Sequence, residues 1–301
     1  MKKIFQAFFL ALGITVGLTA TSCSSDEDTT PSLADTNGFA PADDDNSEEA
    51  NLRRSFAKEV GSYLLFNDTL TKQQVSVDVN GKPVYKVETV DINYVMMGSS
   101  ANTYKYTYKY LANADKQKAA DAYKRTLGKK LGNINPYSVL LVDTINKWKN
   151  YDGVYEITGQ ESYLLGERCY VFSMNGGEAY TDDTYFDGMF EDILCDVFIN
   201  KSGLLADYWS PVEKLIDKYK TVLGYNEVYD HDVARSLGFL YDWNKWYFCT
   251  KKPNDLANYV HAVCTYSEEE FEQEFAAYPI CIKRFKALRN AILAEGVRLD
   301  K

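Results

Sequence analysis

The order of its hydrophobic patterns constrains this chain most. From Tyr63 to Phe172 the apolar residues alternate or come in short runs, as strands require. From Asp183 onward they recur at three- and four-residue spacing, as helices require. Strands gathered first and helices last predict one α+β domain rather than a series of βαβ units. In the first half, residues 51–60 form an amphipathic helix ended by Gly61, and Tyr63–Phe66 a short strand. Gln73–Val79 and Val84–Ile92 flank Asn80-Gly81, a hairpin turn signal. Residues 103–110 alternate strictly, which places Tyr104, Tyr106, Tyr108 and Tyr110 on one face. A half-buried strand is the expectation there, ahead of a sugar-stacking platform. Asp115–Leu131 reads as one long helix and Ser138–Val142 as an apolar strand. Val154–Thr158 and Ser162–Phe172 read as a second hairpin.

The helical half has its own punctuation. Asp187–Asn200 carries Met189, Phe190, Ile193, Leu194, Val197 and Phe198 at helical spacing. Pro211 sits at a helix start, continued by Ile216–Leu223. Asp232–Leu237 is a short helix, with an Asp of Asp230-His231-Asp232 as its cap. Ser267 and Glu270 form a capping box, and Pro279 opens a helix that runs through Ala294.

The net charge of −10 is unevenly spread. Residues 24–50 hold nine acids and no Lys or Arg, whereas residues 51–301 hold 31 basic and 34 acidic side chains. A nearly neutral domain has no basic face for nucleic acid, so no nucleic-acid partner is expected. There are only two His, His231 and His261, so one chain cannot supply three imidazoles to a metal.

Met1-Lys2-Lys3 is a basic leader, and Ile4–Leu18 is apolar but too short for a stable membrane span. Leu18-Thr19-Ala20-Thr21-Ser22-Cys23 then reads as a lipobox. Residues 1–22 are the expected signal peptide and Cys23 the expected lipid attachment site. Residues 23–50 are the expected disordered tether, and residues 51–301 a single domain. Ser24-Ser25-Asp26-Glu27-Asp28 resembles the acidic surface-export signal of Bacteroidota lipoproteins. It implies an outer-membrane lipoprotein exposed at the cell surface. Cys169, Cys195, Cys249, Cys264 and Cys281 are odd in number, lack C-x-x-C spacing and read mostly as buried free thiols.

Several further stretches carry a resemblance. They are Asn67–Leu70, Asn80–Tyr85, Glu88–Asp91, Ser99–Tyr110, Pro136–Asp143 and Ala234–Phe239. In this order they resemble the substrate-import-associated zinc metallohydrolase lipoproteins of Bacteroidota, over roughly residues 51–300. The resemblance implies a zincin-like fold, with Asp187–Asn200 as the helix that bears H-E-x-x-H in the family. It also implies neighbours: a TonB-dependent transporter complex, and a glycan or peptide ligand.

The family binds zinc through two His one turn apart, with a Glu beside them as base. Here both His are missing. In the better register Glu191 and Cys195 stand for the His and Asp192 for the Glu. In the other, Phe190 and Leu194 stand for the His and Glu191 for the Glu. The downstream acidic segment corresponds to Asn254-Asp255-Leu256-Ala257-Asn258, whose two end positions have become Asn. The expectation is therefore no catalysis and no bound cofactor, in a lipoprotein that acts as an accessory or binding component of nutrient uptake. Two alternatives stand beside it. One is an active hydrolase with a non-standard set of Glu191, Asp192, Cys195 and His231, of which Glu191, Cys195 and His231 are the metal candidates. The other is a ligand-free scaffold.

Other constellations carry less. Asp230-His231-Asp232 reads as a helix cap, and His261 as a packed helix residue. Asp182, Asp183 and Asp187 lack EF-hand spacing and read as a solvated loop. A nucleophile elbow of the G-x-S-x-G type is absent from the sequence.

Overall fold

The structure is a computed structural model that describes residues 37–90, 104–216, 231–240 and 251–300. A compact unit begins at Gly38. The first helix, α1 (Glu48–Val60), is capped by Ser47, whose side chain accepts from the Ala50 amide. Glu48 and Glu49 lie in its first turn, where the helix dipole favours acids. After it come β1 (Tyr63–Leu65), β2 (Thr69–Val77), β3 (Pro83–Thr89) and β4 (Tyr104–Lys109). Helices α2 (Asn113–Arg125) and α3 (Leu127–Lys130) precede five strands. These are β5 (Ser138–Val142), β6 (Thr144–Tyr151), β7 (Val154–Glu161), β8 (Tyr163–Leu165) and β9 (Cys169–Ser173). The helical half holds α4 (Asp187–Asn200), α5 (Ala206–Trp209), α6 (His231–Ser236), α7 (Lys252–Thr265), α8 (Glu268–Glu274) and α9 (Pro279–Ala294). The architecture is α+β, with strands mostly first and helices last.

The central sheet runs β1-β5-β9-β8. Strands β1, β5 and β9 are parallel, and β8 lies antiparallel on the edge. Residues 138–142 are apolar after Ser138 because both faces of this sheet are covered. Val139 and Leu141, with Leu64 and Phe172, join the helical core. Leu140 and Val142, with Leu65 and Val171, point the other way into a smaller cluster that Tyr106 and Tyr108 pack against. The alternation along β4 therefore does what a half-buried strand requires: its Tyr side is partly covered and its Lys-Thr-Lys side is exposed.

The structure differs from the sequence expectations at four places. The folded unit starts inside the stretch 23–50 expected as tether. Phe39 is buried, and its carbonyl accepts from Arg53 at 2.7 Å, so residues 38–50 are tied to the domain. The helix expected over 115–131 breaks at Thr126. The Thr126 hydroxyl donates back to the Ala122 carbonyl at 2.8 Å, the side-chain competition that bends helices at Thr. The second hairpin is β6–β7, not Val154–Thr158 with Ser162–Phe172. Its turn is Asp152-Gly153, both at positive φ, the geometry that two-residue hairpin loops favour. Helix α6 begins at His231, so Asp232 sits in its first turn, where its carboxylate accepts from the Tyr278 hydroxyl. The expectations for residues 1–36, Ile92, 217–223, Asp230 and Cys249 lie outside the described residues.

Candidate functional site

Helix α4 follows β9 through the turn around Phe186. It buries Met189, Phe190, Ile193, Leu194 and Phe198, as their spacing demands. That stripe packs against α7. Glu191, Asp192 and Cys195 fall on the flanks of the stripe, so each reaches a different neighbour.

Glu191 reaches α7. Its carboxylate lies 3.1 Å from Nδ1 of His261. This corrects the reading of His261 as a packed residue: its side chain is 66% exposed, with its imidazole beside Glu191. Asp192 turns toward the central sheet and accepts a hydrogen bond from the hydroxyl of Tyr163 on the edge strand β8. Burial, then that carboxylate, push the Tyr163 phenol well above its ordinary value. The phenol thus stays a donor at any physiological pH.

Cys195 is partly buried. Burial first, and then the nearby Asp192 and Glu191 carboxylates, push its thiol up to about 12. Cys264 on α7 is also pushed up to about 12, by burial and by its proximity to Glu191 and Cys195. Both thiols are therefore held in the protonated form, which is not the nucleophilic one. Cys169, Cys195, Cys264 and Cys281 are free thiols. Asp196, one turn beyond Asp192, has its carboxyl raised by burial.

His231 lies on α6, which packs against α9, whereas α4 packs against α7. Among the described residues, no group of three or more His, Cys, Asp or Glu side chains is placed to hold a metal ion. Glu191, Cys195 and His231 therefore do not form the expected alternative ligand set. Zinc needs three protein donors in convergent positions, and the described residues do not meet that requirement.

The downstream segment has another use. Asp255 and Arg284 are 1% and 0% exposed and lie 2.5 Å apart, Nη2 to Oδ2. The second guanidinium nitrogen donates to Asp255 Oδ1 at 3.0 Å and to the Gly238 carbonyl at 2.6 Å. Nε donates to the Tyr208 carbonyl at 3.1 Å. The Tyr208 hydroxyl donates to Asp255 Oδ2 at 2.7 Å, and the Tyr259 hydroxyl to Gly238 O at 2.8 Å. The guanidinium also stacks over both phenol rings, 4.2 and 4.5 Å from their centroids. Every polar atom of the pair is thus spoken for, which is how a buried charge pair survives. Through Asp255, the segment 254–258 fastens α7 to α9 and α5.

Sequence reasoning missed three of these partners. Arg284 was detectable: it interrupts an apolar stripe of Cys281, Phe285, Leu288 and Ile292, where a charge signals burial with a partner. Tyr163 and His261 carried no such mark, because their neighbours on α4 are distant in sequence.

No family model, curated protein or solved structure matches this chain.

Proposed function

We propose that this chain is a surface-anchored outer-membrane lipoprotein with a zincin-like fold and a non-catalytic site, serving a nutrient-uptake system as an accessory or binding component. The single observation that carries the non-catalytic part is the state of the three positions on α4. Glu191 is paired with His261, Asp192 accepts from Tyr163, and among the described residues neither these two nor Cys195 joins a group of three donors placed to hold a metal. A zinc hydrolase needs neutral imidazoles and carboxylates that converge on one open point. The order of the family-like stretches, with α4 as a helix at the position where the family bears its metal motif, supports the zincin-like reading. The lipobox at Cys23 and the acidic residues after it support the anchor. The order of the family-like stretches supports a transporter complex as partner and a glycan or peptide as ligand.

Metal analysis of the purified chain, together with a peptide-cleavage assay, tests this. The expected result is substoichiometric zinc and no cleavage. Stoichiometric zinc with cleavage that Glu191→Ala or Asp192→Ala abolishes would replace the proposal with an active hydrolase. Pull-down from membranes, followed by glycan and peptide binding to the recovered complex, separates an accessory binder from a bare scaffold.

A further inference from the structure

Among the described residues, strands β2 and β3 form a two-stranded sheet of their own with no strand on the outer edge of β3, which is exposed along its whole length. Val75, Val77, Val84, Tyr85 and Val87 are all at least 41% exposed on this ribbon. Isolated two-stranded ribbons are marginal in water, and an unpaired edge invites another strand.

The edge of β3 can be read residue by residue. At one end the Val90 amide donates to Asp68 O at 2.7 Å; at the other the Asp78 amide donates to Lys82 O at 2.7 Å. The register shifts of this ladder, between Thr69 and Thr71 and between Gln74 and Ser76, put the extra residues on β2. Alternation along β3 is therefore unbroken. Lys82, Val84, Lys86, Glu88 and Val90 turn their backbone groups toward β2. Tyr85, Val87 and Thr89 turn theirs outward. Pro83 also faces outward but has no amide to donate.

We infer that the outer edge of β3 pairs antiparallel with the same edge of a second copy, with Val87 opposite Val87 on the two-fold axis. This register places Tyr85 opposite Thr89 twice and uses only residues with an outward amide. It also sets Lys86 opposite Glu88 on both sides of the axis. The neighbouring registers fail on one count or the other. Centring on Lys86 or on Glu88 brings like charges together. Centring on Tyr85 brings Pro83 opposite Val87, where a hydrogen bond is lost. Among registers that pair only described residues of β3, charge complementarity and the missing Pro83 donor thus select this one, and a second copy is the occupant that satisfies both.

Sedimentation equilibrium of the purified full chain at low salt tests the inference, with Lys86→Glu, Glu88→Lys and the double exchange as variants. A concentration-dependent dimer is expected. Each single reversal should weaken it by about tenfold, because two attractive cross-strand pairs become repulsive. The double exchange should restore it, while far-UV circular dichroism shows all variants folded. A wild-type chain that stays monomeric at about 100 μM, a concentration where a micromolar dimer would be well populated, overturns the inference. So do single reversals that dimerise like wild type, or a double exchange that fails to restore association.

Discussion

Glu191 on α4 and His261 on α7 meet across the helix interface at 3.1 Å, and they are the acid–imidazole contact of the candidate site. The imidazole is mostly exposed and the carboxylate partly so, which screens the interaction. A double-mutant cycle with His261→Ala and Glu191→Gln, read by urea unfolding, should give a coupling of no more than about 1 kcal/mol. The coupling should shrink further in about 1 M salt. A coupling several times larger would mean that the pair holds α4 and α7 together, contrary to its exposure.

The Asp255–Arg284 pair should behave in the opposite way. Both side chains are buried, and each is surrounded by partners that would be orphaned if one charge went. Arg284→Met or Asp255→Asn alone should cost about 3–5 kcal/mol in unfolding free energy. Replacing both, with Arg284→Met and Asp255→Leu, should recover a large part of that loss, since no uncompensated charge remains. Single variants that unfold at the wild-type urea midpoint would show that the pair is not closed to water.

The legibility of this fold follows the range of the interactions. Local patterns were readable: the apolar stripe of α4, the hairpin around Asn80-Gly81, the Ser267–Glu270 capping box and the run at 138–142. The break at Thr126 was not, because it arises where a hydroxyl competes with a backbone amide inside an otherwise good helical pattern. The site was readable only in part. Glu191, Asp192 and Cys195 were identified as neighbours on one helix. What each one touches depends on residues 29 positions upstream for Asp192 and 70 downstream for Glu191, which no periodicity encodes.

The Cys195 thiol links stability to pH. Its folded value, about 12, lies above its ordinary value of 9.0, so the native state keeps the proton while the unfolded chain loses it. Its contribution is fully present below about pH 9 and falls as pH rises, until it is lost above about 12. Cys195→Ala should therefore flatten the decline of stability between pH 9 and 11, measured by urea titration. Its native thiol should also react with a disulfide reagent at pH 8 far more slowly than in unfolded chain, since thiolate is the attacking form. A native reaction rate equal to the unfolded one would contradict both expectations.

Gly238 gives the sharpest test of the buried junction. Its φ is +92°, a conformation that side chains with a Cβ rarely adopt. A Cβ there would meet the Ile280 side chain at 2.4 Å, well inside contact distance, and would approach Arg284 Cδ at 3.4 Å. The Gly238 carbonyl also accepts from both Arg284 and Tyr259, so a shift of the backbone to relieve the clash would loosen those two bonds together. Gly238→Ala should thus cost roughly 2–4 kcal/mol, combining backbone strain with overpacking. Trimming the obstacle with Ile280→Ala in the same chain should recover the overpacking part and leave the strain. If Gly238→Ala unfolds at the wild-type urea midpoint, the turn that joins α6 to the Asp255–Arg284 pair is not held as described.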